Sequence, residues 1–77
     1  MPTILKIDGW RFFFFSDEHT PEHIHIEKAD GYARIEIKSL LVTDSYNLNS
    51  KELKKLLQLV KEHNKKLKEA WNEHFKK

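Results

Sequence analysis

The first half of the chain alternates between hydrophobic and polar residues, which is the period of a β-strand with one buried face. Four segments show this alternation or a run of strand-forming aromatic residues: "TILKI", "WRFFFFS", "HIHIEKA" and "YARIEIKSL". Asp8-Gly9 and Asp30-Gly31 separate neighbouring segments in the way that two-residue hairpin turns do. The polar stretch "DEHTPE" lies between the second and third segments and reads as a loop. The pattern predicts an antiparallel β-meander of about four strands in residues 1–40.

The second half changes to the period of an α-helix. Hydrophobic residues recur there at steps of three and four, as Leu53, Leu56, Leu57, Val60, Leu67, Trp71 and Phe75. Asn49-Ser50 is a suitable N-cap pair, and the stripe weakens at His63-Asn64, so the segment forms either one long helix or two consecutive helices. The predicted class is α+β, with the helical layer packed on one face of the sheet. We expect one domain, residues 1–77, with the sheet in 1–40, a connector in 41–49 and helix in 50–76.

The aromatic strand presents a packing problem. Trp10, Phe12 and Phe14 lie on one face of it, and Phe13 and Phe15 lie on the other. A strand with large side chains on both faces is normally covered on both sides, but only one segment of this chain is amphipathic enough to cover a face. Phe13 and Phe15 are therefore predicted to form an interface with a partner or a second copy of the chain. The alternative is that the connector, through Leu41, Val42 and Tyr46, folds over them.

The composition narrows the class of protein. The chain has 77 residues and no cysteine, so neither disulfides nor thiolate metal sites can supplement a small core. Its longest apolar run, "FFFF", is too short to cross a membrane, and Lys6 and Asp8 interrupt any signal-peptide core. We expect a soluble cytoplasmic protein with no membrane partner. Residues 1–50 are net acidic and residues 51–77, with nine lysines and four glutamates, are net basic. That asymmetry suits RNA, an acidic protein surface or simply a solvated helix face.

Three of the five histidines lie in the stretch "SDEHTPEHIHIE". His23 and His25 project from one face of a strand, so they can act together as general base and general acid on a phosphodiester, with Arg34 or Lys38 as the cation. The same pair with His19 is a candidate site for a divalent metal such as zinc. The third interpretation is structural, with the histidines bonded to the loop or to a cross-strand partner such as Glu36. No other cofactor is expected, because two glycines cannot form a phosphate-binding loop.

The whole chain resembles the small prokaryotic domain-of-unknown-function family 4160. The resemblance is carried by "MPT" at the start, "RFFFFS" from Arg11, "HTPEHIHIE" from His19 and "AWNEHF" from Ala70. Family members typically carry a second proline before the first strand histidine, where this chain has Glu22. That departure is expected to loosen the loop and to leave the three histidines in register.

The resemblance implies a role in a two-protein module. Members are often encoded beside a second small protein in arrangements that look like type II toxin–antitoxin pairs, so the small cognate protein is the expected partner. If this chain is a toxin with ribonuclease-type activity on RNA, the candidate site residues are Arg11, His19, His23 and His25. The alternatives are a non-catalytic interaction or regulatory domain that oligomerises through its aromatic strand, and a histidine-based metal-binding module.

Overall fold

The protein forms one antiparallel sheet followed by two helices. The computed structural model describes residues 3–14 and 21–75. The strands are β1 (Thr3–Ile7), β2 (Trp10–Phe13), β3 (His23–Lys28), β4 (Gly31–Glu36) and β5 (Val42–Tyr46), and the helices are α1 (Ser50–Glu62) and α2 (Asn64–His74). The strands lie side by side in chain order. The predicted α+β class is confirmed, with five strands in the sheet where the sequence predicted about four.

The additional strand is β5, which lies within the segment predicted to be a connector. Tyr46 pairs with Tyr32 and Asp44 pairs with Arg34, and the register shifts before Val42 reaches Ile35. Val42 is the only half-buried residue of β5, and the other four are exposed. Because an edge strand that buries a single side chain needs no alternation, its sequence carries no period-two pattern. Residues 41–49 therefore extend the sheet before they lead into the helix.

The two predicted hairpin turns differ in how they use glycine. The first lies at Asp8-Gly9 as predicted, and both residues have positive φ, 51° and 84°. The second turn is displaced by one residue, because Lys28 pairs with Gly31 and leaves Ala29 at the bend with φ 52°. Gly31 is the first residue of β4, and a Cβ atom there would lie 2.5 Å from Cδ2 of Leu48. The sequence needs glycine at this position for space rather than for a left-handed turn.

The core lies between the helices and one face of the sheet. Trp10, Phe12 and Phe14 face the helices as predicted, and the ring of Phe14 meets that of Trp71 edge to face at 5.3 Å. The remaining buried side chains of this cluster are aliphatic: Ile24, Ile26, Ala33, Ile35, Ile37, Leu56, Leu59, Val60 and Leu67. No helix or strand of the described residues lies on the other face of the sheet, which we call the outer face.

The helical layer is two helices, and its interruption has a specific cause. Asn49 and Glu52 form a capping box that starts α1. The helix stops at His63, with φ −103° and ψ 20°, and α2 begins at the next residue. The side-chain amide of Asn64 donates a hydrogen bond of 2.6 Å to the carbonyl oxygen of Ile37. The polar residue that weakens the hydrophobic stripe therefore fastens the start of α2 to the chain just beyond β4.

The displaced second turn gives a stability prediction. Ala29→Gly should raise the free energy of unfolding by roughly 0.5 kcal/mol, because relief of the left-handed backbone outweighs the added entropy of the unfolded chain. Gly31→Ala should lower it by about 1–2 kcal/mol, because the new methyl group displaces Leu48. Urea denaturation measures both changes. The opposite signs would place the bend at Asp30-Gly31, as the sequence alone suggests.

Candidate functional site on the outer face of the sheet

The outer face collects the site residues that the sequence predicted on β2 and β3. Phe13 lies directly opposite His25, and Arg11 lies opposite Glu27. They share a face because side chains alternate along each strand while the antiparallel register aligns the two strands. His19 and Phe15 lie outside the described residues. The register therefore brings together Arg11, Phe13 and His25 from two separate parts of the sequence.

Four rings form a row across the outer face, one from each of β2 to β5. The aromatic row consists of Phe13, His25, Tyr32 and Tyr46, with successive ring centroids 5.5, 5.9 and 5.3 Å apart. The planes of neighbouring rings are inclined by 27° to 30°, so the rings stack on one another. Each such pair stabilises the sheet by about 0.5–1.5 kcal/mol beyond the area it buries. The row ends at Tyr46 on the edge strand, where the side chain is 58% exposed.

Arg11 closes the opposite end of the row. Its guanidinium carbon lies 4.2 Å from the centroid of the Phe13 ring, in a cation–π contact. Its Nε and Nη2 atoms lie 3.0 and 2.9 Å from Oε1 of Glu27, and Nη1 donates to the Thr3 hydroxyl at 3.1 Å. These contacts hold the side chain flat against Phe13. In this arrangement the Arg11 guanidinium already forms an ion pair with the carboxylate of Glu27.

His25 is buried in the aromatic row. It is 2% exposed, and its Nδ1 lies 2.6 Å from the hydroxyl oxygen of Tyr32. Its ring lies between those of Phe13 and Tyr32, and Arg34 is its cross-strand neighbour on β4. A buried imidazole needs such a hydrogen bond, because an unsatisfied polar nitrogen in this position is costly. A general acid or base must reach its substrate, so the buried ring is placed for packing and hydrogen bonding.

His23 occupies a different environment at the end of the sheet. Its half-buried ring meets His25 edge to face at 5.0 Å and contacts Trp71 of α2 at 5.4 Å. Its Nδ1 lies 2.9 Å from the carbonyl oxygen of Pro21. Because a carbonyl oxygen only accepts, Nδ1 carries the hydrogen, and a neutral ring has its lone pair on Nε2. That tautomer suits a base or a metal ligand.

The cross-strand partner expected for the histidines is present in the register but engaged elsewhere. Glu36 lies opposite His23, yet its Oε1 accepts a hydrogen bond of 2.7 Å from the hydroxyl of Ser39. Glu22, at the position where family members carry a second proline, is fixed by a different contact. Its carbonyl oxygen accepts from the backbone N–H of Ile37 at 2.9 Å. The segment before β3 is thus bonded to the chain beyond β4 without that proline.

The described part of the chain contains no set of ligands for the predicted metal site. In residues 3–14 and 21–75, no group of three or more His, Asp or Glu side chains is arranged to hold an ion. The predicted set includes His19, which lies outside those residues, so the metal site stays a prediction.

Exposed apolar surface lies at the edge strand rather than at Phe13. Phe13 is 2% exposed, and its assignment to a partner interface stays a prediction. Among the described residues, the large hydrophobic side chains that are exposed are Leu41, at 57%, and Tyr46. They lie immediately before β5 and at its last position. Sequence reasoning missed this pair because it depends on recognising β5 as a strand.

Comparison with known proteins identifies a family. The model of the family described as "Domain of unknown function (DUF4160)" matches residues 9–72. Comparison with curated proteins and with solved structures gave no match. No helix in the described ranges is both long enough and apolar enough to cross a bilayer.

The hydrogen bond inside the aromatic row gives a second prediction. Tyr32→Phe keeps the stacked ring but leaves Nδ1 of the buried His25 without its hydroxyl partner, which should lower the free energy of unfolding by about 1–3 kcal/mol. Tyr46→Phe is the matched control, since no hydrogen bond of its hydroxyl is found in the described part of the chain, and it should change stability by less than about 0.5 kcal/mol. Urea denaturation measures both. Equal effects would show that the Tyr32 hydroxyl does not stabilise His25.

Proposed function

The chain belongs to the DUF4160 family, and from that premise we propose that it is the partner-binding component of a toxin–antitoxin-type pair. In this proposal it binds the small cognate protein through the outer edge of β5, and it acts in the cytoplasm, as the sequence predicts. One observation carries the proposal: the exposed Leu41 and Tyr46 lie at the two ends of β5, whose outer edge pairs with no strand of the described residues.

The edge of β5 has the chemistry of a strand-addition site. β5 pairs with β4 on one side, and no strand of the described residues pairs with its other side. Alternate backbone N–H and C=O groups of an edge strand point outward, where an extended segment of another chain can bond them. Such a segment would also cover Leu41 and Tyr46. Tyr46 would let a planar side chain of the partner continue the aromatic row.

The other edge of the sheet is less suited to this role. The apolar residues of β1, which are Ile4, Leu5 and Ile7, are partly buried against the core. Its exposed positions are Thr3 and Lys6, and Thr3 accepts a hydrogen bond from Arg11. A partner at that edge would gain backbone hydrogen bonds but little apolar contact, so β5 is the better candidate.

Charge favours a different protein over a second copy of this chain. Asp44 is the central residue of β5 and is exposed. Two copies that paired antiparallel about this residue would place their carboxylates directly opposite each other, which is destabilising. A single acidic residue at the middle of an edge strand is a common protection against self-pairing. A partner that offers lysine or arginine opposite Asp44 would turn the same charge into an attraction.

Cleavage of RNA is the second candidate, and it is favoured by the tautomer of His23. The bond to the Pro21 carbonyl orients the ring with its lone pair on Nε2, as a general base requires. Of the other predicted groups, His25 is buried and Arg11 is bonded to Glu27. A catalytic toxin would therefore depend on His23 rather than on a pair of histidines.

Partner binding is tested with the small protein encoded beside this chain in its genome. Wild-type protein should form a stable complex with it in co-purification and calorimetry. Leu41→Thr combined with Tyr46→Thr should weaken that complex at least about tenfold, because exposed aromatic anchors often dominate such interfaces. Lys6→Thr, on the opposite edge strand, should leave the affinity unchanged.

Three results would count against this assignment of the edge. They are no complex with the wild-type chain, full affinity in a folded double variant, and equal loss in Lys6→Thr. A dimeric mass of the isolated chain that becomes monomeric in the double variant would instead assign the edge to self-association.

RNA cleavage is tested by expression in cells and by incubation of purified protein with total RNA. If the second candidate holds, His23→Ala should abolish growth arrest and RNA cleavage, whereas His63→Ala should leave both intact. His63 is a suitable control because it is also half-buried and lies at the junction of the helices rather than in the sheet. Growth arrest that survives His23→Ala in a folded variant would remove the histidine mechanism.

A further inference from the structure

A groove lies between α1 and the turn that follows β4. Its volume is about 600 Å³, and it is open to solvent on one side. The residues that line this feature, which we call the α1 groove, are Leu40, Lys54, Leu57, Gln58, Lys61 and Glu62. None of its lining residues belongs to β5 or to the aromatic row.

The floor of the α1 groove is apolar, and one of its residues is held in an uncommon backbone conformation. Leu57 and Leu40 are each partly buried against the core. Leu40 has φ 61°, in the left-handed region that large side chains rarely adopt. Its N–H donates to the carbonyl oxygen of Glu36, and the N–H of Glu36 donates to that of Leu41, each at 2.9 Å. The turn thus holds an apolar side chain against α1 at a position where glycine or asparagine would fit the backbone with less strain.

The rim of the groove is positively charged. Lys54 and Lys61 are seven residues apart on α1, so they project from the same side of the helix, one on each side of Leu57. Both are exposed, and within residues 3–14 and 21–75 no carboxylate lies within ion-pair distance of either one. Lys55 shows the contrast, since its ammonium lies 3.3 Å from the Asp8 carboxylate. The groove therefore offers two ammonium groups that stand over an apolar floor.

The groove also contains one carboxylate, and its position leaves the two lysines available. Oε2 of Glu62 lies 3.4 Å from the side-chain amide nitrogen of Gln58, one turn earlier on α1. Glu62 reduces the positive charge at one end of the groove without pairing with Lys61. The positive charge of the rim is therefore greatest at the Lys54 end, and both ammonium groups remain available to the carboxylates of a ligand.

We propose that the α1 groove binds a protein segment in which a large aliphatic side chain is flanked by carboxylates. The aliphatic group fills the space over Leu40 and Leu57, and the carboxylates pair with Lys54 and Lys61. The aliphatic stems of these lysines extend the apolar wall toward the rim, so the contact is hydrophobic at its centre and ionic at its edge. This inference is independent of strand addition at β5, because it rests on other residues and concerns another surface.

Nucleic acid fits the groove less well than an acidic protein segment. The lining has no arginine to bond phosphate at two points and no aromatic ring on which a base can stack. Its apolar floor binds an aliphatic side chain favourably, and nucleic acid has no such side chain. The positive rim alone would serve either ligand, so the apolar floor decides between them.

The probe is the synthetic peptide acetyl-Glu-Leu-Leu-Glu-Glu-Leu-Leu-Glu-amide, titrated into the isotope-labelled full chain by NMR. Amide shifts should move at Leu40, Leu57 and Lys61 and not along β2 and β3. Lys54→Glu with Lys61→Glu should weaken binding about tenfold, because two attractions become repulsions. Lys65→Glu with Lys66→Glu makes the same change in net charge on the exposed side of α2 and should have little effect.

Two altered probes separate the contributions of the floor and the rim. A peptide with serine in place of leucine should bind at least about tenfold more weakly, since it loses the burial of its apolar side chains. Raising the salt concentration from about 0.05 M to about 0.5 M should lower the affinity for the leucine peptide without abolishing its binding.

Several outcomes would overturn the inference. They are the absence of shifts at the groove, equal losses in the two lysine double variants, and equal binding of the serine peptide. Tighter binding of a single-stranded oligonucleotide than of the peptide, with the same dependence on Lys54 and Lys61, would assign the surface to nucleic acid. None of these results depends on the small cognate protein.

Discussion

This chain can cover only one face of its sheet with helices, while its central aromatic strand carries large rings on both faces. α1 and α2 pack over the face that carries Trp10, Phe12 and Phe14. Among the described residues, contacts within the outer face help to hold Phe13. Phe13 stacks on His25, His25 stacks on Tyr32, and Arg11 lies over the Phe13 ring. His25 therefore takes part in packing this face of the sheet.

The interpretation of the histidine cluster changes accordingly. In sequence, His23 and His25 are equivalent, since they alternate on one strand face. In the structure they differ, because His25 is buried between the neighbouring β2 and β4, while His23 is the half-buried first residue of β3. Burial and a hydroxyl partner make His25 part of the sheet's cross-strand packing. We therefore place the proposed partner contact at the margin of the outer face, where the row ends at Tyr46 and the edge strand lies.

Much of the fold could be predicted from periodicity, and most of the site could not. β3, β4 and α1 each bury one face, so each has a periodic pattern of hydrophobic residues that can be recognised in the sequence. β5 has no such pattern, because it buries only Val42 and its other residues need not alternate between hydrophobic and polar. Without β5, neither the end of the aromatic row at Tyr46 nor the exposed Leu41 could be placed. The predicted second turn was one residue late, because Gly31 serves the packing of Leu48 rather than the bend.

Burial of the site residues was equally beyond the sequence. Nothing in "HIHIE" distinguishes a ring that reaches solvent from one enclosed between two neighbouring strands. Which side Phe13 faces follows from alternation, but the stacking of Tyr32 on His25 follows from their diagonal offset across β3 and β4. Such offsets depend on register, and register is set by the turns. The same holds for the groove beside α1, whose floor depends on the left-handed backbone of Leu40.

The junction at His63 and Asn64 has a consequence for how sequences of this fold can diverge. In a continuous helix, one inserted or deleted residue rotates everything after it by about 100°, which would turn the stripe of α2 away from the sheet. Here α1 ends before His63, and the bond from Asn64 to Ile37 attaches the start of α2 to the chain just beyond β4. A change of length near the end of α1 can therefore be absorbed at the junction. The two helices are free to evolve as separate modules, each aligned to the sheet by its own contacts.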